Sequence, residues 1–344
     1  HFELSQSYLA FWDKFERCNY FLESILETAA LPTTDRTVMH ILSTGVHDGG
    51  QWDMFANIVR KYGVVPKDVY DETYQSSTTR PMNAQLNRAL KVAAAGLRRM
   101  VADKADADAI QAEKNKTLNA IYGFLCSCYG EPPKAFDFEF VDKDQVYHIE
   151  KNLTPLTFAE RYVGDLLDQV VSVINAPTAD KPYHRTYTIR LLGNVVEGRP
   201  VVHLNLTMDE LKAAIIAQLK AGKVVWFGSD VGHFGERTLG IWDDRSFDFA
   251  ALTGLSLAMD KADALDYGLA AMNHAMVLTG VNLDEAGKPT RWKIENSWGD
   301  KNGEKGYYVC SDSWFDQYVF QAAVEREYLG SLADLAAQEP IVLE

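Results

Sequence analysis

The sequence predicts an α+β protein built from a helical lobe and an antiparallel β lobe, with a mainly helical insertion placed between them along the chain. Three observations carry that prediction. Aromatic residues near the start recur at close to a helical period. The stretch from Asn83 to Tyr129 is rich in Ala, Lys, Arg, Leu and Asp and poor in β-branched residues, a composition that favours helix. The last third alternates apolar runs with turn residues, as an antiparallel meander does.

Taken in order, Tyr8, Phe11, Trp12, Phe15, Tyr20 and Phe21 form the first helical stripe, read as core, and Pro32 is expected to close that stretch. Asp48-Gly49-Gly50-Gln51-Trp52 then supplies a turn ahead of a helical run from Met54 to Tyr62. The insertion follows and is ended by Pro132-Pro133, after which Ala135 to Val141 alternates aromatic and polar residues like a strand. Thr157 to Val173 is expected to be helical. Tyr183 to Leu192 and Val201 to Leu206 read as strands, Thr207 as the cap of a helix from Asp209 to Ala221, and Lys223 to Gly228 as an apolar strand. The meander consists of His274 to Val281, a turn through Asp284 to Lys288, Arg291 to Asn296 and Gly306 to Cys310. In domain terms, residues 1–62 are the helical lobe, 63–135 the insertion, 136–330 the remainder with the β-rich lobe, and 331–344 a tail.

A length of 344 residues with 47% hydrophobic content is enough to bury a substantial core, which excludes a disordered chain. The formal charge of −14 disfavours general binding to phosphate backbones, since that requires clustered Lys and Arg. The adjacent Arg98 and Arg99 read as a solvated helix face. No apolar run approaches the roughly 20 residues needed to span a bilayer, and the first residues lack a signal-like pattern. A soluble cytoplasmic protein is therefore expected. The absence of an initiator Met suggests an N-terminus made by processing, cutting or design. Cys18, Cys126, Cys128 and Cys310 are too few and too scattered for a disulfide framework, and Cys126 and Cys128 lack the spacing and the nearby His of a zinc site. No metal and no cofactor is expected.

Two segments carry the chemistry. Asn273-His274-Ala275-Met276-Val277-Leu278-Thr279-Gly280 opens an apolar strand, and Glu295-Asn296-Ser297-Trp298-Gly299 ends the next one. One hairpin can bring the Asn amide beside the imidazole. A thiol peptidase uses that arrangement: the imidazole takes the thiol proton, the amide oxygen holds the ring, and an adjacent Trp shields their hydrogen bond from water. Read singly, a His at the start of a strand is a core or rim residue, and Asn-Ser-Trp-Gly is a capped turn.

Together these motifs, followed by Gly306-Tyr307-Tyr308-Val309, resemble the His and Asn regions of papain-like cysteine peptidases, most closely the aminopeptidase C / bleomycin hydrolase branch. The upstream segments Leu4-Ser5-Gln6, Phe11-Trp12-Asp13-Lys14-Phe15-Glu16 and Asp48-Gly49-Gly50 agree, so the resemblance covers nearly the whole chain. It implies a papain-like two-lobed fold with a helical insertion, and a cytoplasmic cysteine aminopeptidase that releases N-terminal residues from peptides. It also implies a ring-shaped homohexamer. On the resemblance, His274 is the general base and acid, Asn296 orients it and Trp298 shields the pair. Gly49 and Gly50 bind an extended peptide through their backbone, where no side chain obstructs close approach; without the resemblance, that Gly pair is simply a turn. Asn273 and Trp298 are counted with them as substrate-binding candidates.

The family's nucleophilic Cys, in a Gly-Arg-Cys-Trp type segment preceded by an oxyanion-binding Gln, has no counterpart among these residues, and the chain is expected to begin after it. The four cysteines present read as structural thiols. Loss of the Gln would remove an oxyanion donor, an effect worth about 10² to 10³ in rate. The resemblance also leads one to expect that the chain, ending at Pro340-Ile341-Val342-Leu343-Glu344, stops short of the tail that in this family restricts attack to N-termini. Two alternatives stand beside the peptidase reading. One is a catalytically inert fragment or homologue that binds peptides or partner subunits; the other is a metal hydrolase using His233 with Asp230 and Glu236, which lacks a helical ligand frame.

Overall fold

The computed structural model describes residues 2–344, which leaves His1 outside the described residues, and the chain divides into two compact units. The first comprises His1–Leu167, Ile189–Val201 and Glu344; the second comprises Asp168–Thr188 and Val202–Leu343.

The first unit is helical. Its helices are α1 (Gln6–Glu27), α2 (Arg36–Thr44), α3 (Trp52–Tyr62), α4 (Tyr74–Ser77), α5 (Arg80–Ala102) and α6 (Ala107–Tyr129), followed by strands β1 (Phe136–Val141) and β2 (Tyr147–Leu153) and helix α7 (Pro155–Tyr162). Ser5 caps α1 by accepting from the Tyr8 N–H, and the helical repeat then turns Tyr8, Phe11, Cys18, Leu22 and Ile25 to one buried side. That stripe packs with Leu86, Leu90 and Leu97 of α5 and Leu118, Ile121 and Leu125 of α6. Helix α1 ends at Glu27, earlier than Pro32 suggested, because the Thr28 hydroxyl turns back to the Ser24 carbonyl at 2.7 Å and caps it. Within residues 63–135, α5 and α6 pack against each other as a helical hairpin. Lys104 adopts φ +58°, and Asp106 accepts from the Asp108 N–H to start α6. Strand β1 pairs antiparallel with β2, a partner the sequence reading did not foresee.

The second unit starts at α8 (Leu166–Gln169), whose residues fall in both units. It continues with β3 (Val170–Ile174), β4 (Thr186–Ile189), β5 (His203–Asn205), α9 (Met208–Lys220), β6 (Val225–Ser229), β7 (Gly235–Glu236), β8 (Ile241–Trp242), α10 (Phe249–Thr253) and α11 (Lys261–Asp266). The meander β9 (His274–Leu283), β10 (Pro289–Glu295) and β11 (Tyr307–Ser311) follows, then α12 (Asp312–Tyr318), β12 (Val319–Glu325), α13 (Arg326–Leu329) and β13 (Ile341–Leu343). Eleven strands form one sheet in the order β13-β4-β5-β3-β12-β6-β9-β10-β11-β8-β7. Its core holds Phe227, Leu278, Trp292, Ile294, Trp314 and Phe315.

Two corrections concern this sheet. The helix expected over 157–173 ends at Tyr162, and Val170–Ile174 is a strand: a run of β-branched residues buried between β5 and β12 gains more from pairing than from helix. Strand β12 was not foreseen at all. It lies between β3 and β6 with six of its seven residues buried, so it lacks the polar and apolar alternation by which strands are read.

Candidate active site

The site is built by the antiparallel register of β6, β9 and β10. His274 opens β9 directly opposite Ser229, the last residue of β6. Asn296 follows the end of β10, with its N–H donated to the Gly306 carbonyl at 3.1 Å. Because β9 and β10 pair with each other, these ends lie together, and His274 Nε2 is 2.9 Å from Asn296 Oδ1. The Ser297 N–H also donates to that Oδ1, at 2.8 Å. A backbone N–H can only donate, so the amide atom there is the oxygen, and the imidazole must present an N–H to it. The tautomer follows: the proton is on Nε2, and Nδ1 is the basic nitrogen. Nδ1 has no hydrogen bond among the described residues.

Trp298 lies stacked on His274, with ring centroids 4.8 Å apart. It is held edge-on by Trp242 at 6.1 Å and Tyr308 at 5.9 Å. The indole therefore covers the imidazole and its bond to the Asn296 carboxamide, and Asn296 is only 9% exposed. Exclusion of water strengthens a hydrogen bond of this kind.

Asn273 faces differently. Its Oδ1 accepts from the Val231 N–H at 3.0 Å and its Nδ2 donates to Asp230 Oδ1 at 2.6 Å. The other oxygen of Asp230 accepts from the Ala271 N–H at 3.0 Å, so this buried carboxylate holds the backbone that leads into His274. His233 stacks on Tyr318 at 4.9 Å, 3.5 Å from Asp230, while the Glu236 carboxylate accepts from the Leu239 N–H at 2.5 Å. The carboxylates are thus occupied by backbone N–H groups and the Asn273 amide, and no three His, Cys, Asp or Glu side chains among the described residues form a group that could hold a metal. The role of Asp230 as a brace was not legible in the sequence, which displays the residue only as one acid in a glycine-rich loop. Arg237, whose guanidinium lies 4.4 Å over the Trp298 ring, was missed as well. It is separated from Trp298 by most of a meander, and no spacing pattern links them.

Gly49 and Gly50 belong to the first unit, where both are exposed in the turn before α3. Neither has positive φ. What demands a missing side chain is proximity: a Cβ on Gly50 would lie 2.7 Å from Arg17 Nη2, and one on Gly49 3.2 Å from the His47 ring. The turn is fixed by Asp48, which accepts from the buried Lys14 at 2.5 Å, Thr79 at 2.7 Å and Asn83 at 3.0 Å. Burial alone would raise the Asp48 carboxyl, yet these donors outweigh it and hold the group down at about 2.

Three of the four cysteines are poor nucleophiles. Burial pushes Cys18 up to about 12, raises Cys128 and drives Cys310 well above the ordinary thiol range. Cys126 is half-buried on α6.

Comparison with known proteins agrees with this chemistry. A family model described as the peptidase C1-like family matches residues 1–344. Aminopeptidase C of Streptococcus thermophilus is 51% identical over 338 residues, covering 98% of this chain and 76% of that protein. Aminopeptidase C of Listeria monocytogenes is 47% identical over 344 residues, covering 100% of this chain and 77% of that protein. A crystal structure of PepW from Lactobacillus rhamnosis superposes with a TM-score of 0.96 at 52% identity, covering all of this chain and 78% of that one. The α+β fold is thus papain-like, and the chain belongs to the peptidase C1-like family of cysteine peptidases.

Proposed function

We propose that the protein is a cysteine aminopeptidase in which His274 is the general base and acid, Asn296 sets its tautomer, and Trp298 shields the pair. The observation that carries these roles is the hydrogen bond from His274 Nε2 to Asn296 Oδ1 under the Trp298 ring, which leaves Nδ1 as the base. Nδ1 takes the thiol proton, the thiolate attacks the carbonyl of the first peptide bond, and the imidazolium returns the proton to the leaving amine. Water then hydrolyses the thioester. The nucleophilic Cys comes from a part of the protein outside these 344 residues, a reading supported by the burial of Cys18, Cys128 and Cys310 and by relatives longer than this chain.

Gly49 and Gly50 hold the substrate backbone in strand-like fashion. Asn273, with its side chain committed to Asp230 and Val231, meets substrate through its backbone. Residues 63–135 act as an insertion on the helical lobe. The active form is a cytoplasmic homohexameric ring, and among the described residues no helix is long and apolar enough to cross a membrane.

The test uses the full-length protein and an aminoacyl p-nitroanilide. Hydrolysis should be abolished by iodoacetamide, and His274→Ala should lower kcat/KM by at least about 10³. Activity that survives both would overturn the assignment.

A further inference from the structure

Arg237 sits in the tight turn between β7 and β8, and its backbone neighbours are pinned. The Thr238 carbonyl accepts from the Gly303 N–H at 2.9 Å, and Leu239 donates to the Glu236 carboxylate. Gly240, at φ +70°, lets the turn close: a Cβ there would lie 2.6 Å from Gly303 Cα. The loop that follows Trp298 and the turn that carries Arg237 are therefore fixed to each other. The guanidinium rests over Trp298 at 4.4 Å, and Trp298 in turn rests on His274. Arg237 is exposed and makes no ion pair among the described residues, while the protein as a whole carries a formal charge of −14. An unpaired cation stacked on the same indole as the catalytic imidazole is the local exception to a field that repels anions.

We propose that Arg237 is a specificity-determining residue that binds a carboxylate on the leaving-group side of the substrate. The direction follows from the chemistry. The imidazolium protonates the departing amine, so the leaving part of the peptide passes His274 on the side where its proton is delivered. A carboxylate one or two residues past the scissile bond lies roughly 4 to 7 Å farther along an extended chain, comparable with the contacts of 4.4 Å and 4.8 Å that link Arg237 to His274 through Trp298. The planar guanidinium fits a carboxylate with two parallel hydrogen bonds and keeps its stacking on Trp298. The ligand is either the free C-terminus of a short peptide or an acidic side chain.

The inference rests on the aminopeptidase reading, and its test separates the two. The full-length protein is assayed by leucine release from Leu-Gly and Leu-Gly-amide, and from Leu-Glu-amide and Leu-Gln-amide, with leucine p-nitroanilide as reference. In at least one pair the carboxylate-bearing substrate should be preferred by about tenfold in kcat/KM, mostly through KM, and the pair that shows it identifies the source of the carboxylate. Arg237→Gln should bring that ratio close to one, Arg237→Lys should keep part of it, and added salt should weaken it in the native enzyme. Equal rates within both pairs, or a preference that survives Arg237→Gln, would overturn the proposal while leaving the aminopeptidase intact. Failure to cleave any of the five substrates would overturn the aminopeptidase reading and this proposal together.

Discussion

Ser297 contributes only a backbone N–H to the site, yet that N–H fixes which way the Asn296 amide faces and so which nitrogen of His274 carries the proton. Replacing Asn296 by Ala should leave the imidazole free to turn and lower kcat by about 10²-fold. Asn296→Asp should instead put a negative charge beside the ring, favour the imidazolium and move the acidic limb of the pH–rate profile upward. Pre-steady-state and pH-dependent rates on the full-length enzyme check both. A second histidine makes a prediction about stability. His203 is buried, with its ring Nδ1 2.8 Å from the Ser172 hydroxyl, which accepts from Gln321 at 2.7 Å. Burial lowers it to about 4. The unfolded chain therefore binds the proton first. Stability is unaffected above about pH 6.5 and declines as pH falls from there towards about 4. Urea unfolding across that interval should show the decline, and His203→Asn should flatten it. The sequence displayed His274 and Asn296 because motif and spacing coincide, whereas nothing local distinguishes His203 as buried or Arg237 as stacked.

At the level of elements, the structure is decided at a few close approaches. Gly63 ends α3 at φ +74°, and a Cβ there would lie 2.1 Å from the Pro155 carbonyl oxygen at the start of α7. The obstacle is backbone, which cannot swing away. Gly63→Ala should therefore cost about 3 kcal/mol, combining left-handed strain with overpacking, and should shift the urea midpoint of the full-length protein accordingly. The strands at the site follow a different logic. Strand β10 alternates buried and exposed residues, β9 reads as an apolar run ended by the turn at Asp284, and their pairing delivers Asn296 to His274. Strands β3 and β12 are buried along most of their length and show no such alternation. Their identity depends on neighbours from distant parts of the chain, which is why one was read as helix and the other passed unnoticed.

At the scale of the molecule, burial raises three of the four thiols, Cys18, Cys128 and Cys310, and the proposed nucleophile lies outside these 344 residues. Brief treatment of the native full-length protein with iodoacetamide should abolish activity with one label, and peptide mapping should place that label outside Cys18, Cys126, Cys128 and Cys310. A stoichiometric label on any of these four, coincident with inactivation, would contradict the proposed nucleophile. By itself the sequence determined the α+β class, the peptidase family and the pairing of His274 with Asn296. Those depend on residue types at short separations and on periodicities of helix and strand, both visible along one dimension. The tertiary structure alone decided the tautomer of His274, the brace that Asp230 provides, the cation resting on Trp298 and the membership of β3 and β12 in the sheet. Each depends on a contact between residues whose separation in sequence carries no pattern, so only the folded chain brings them within reach of one another.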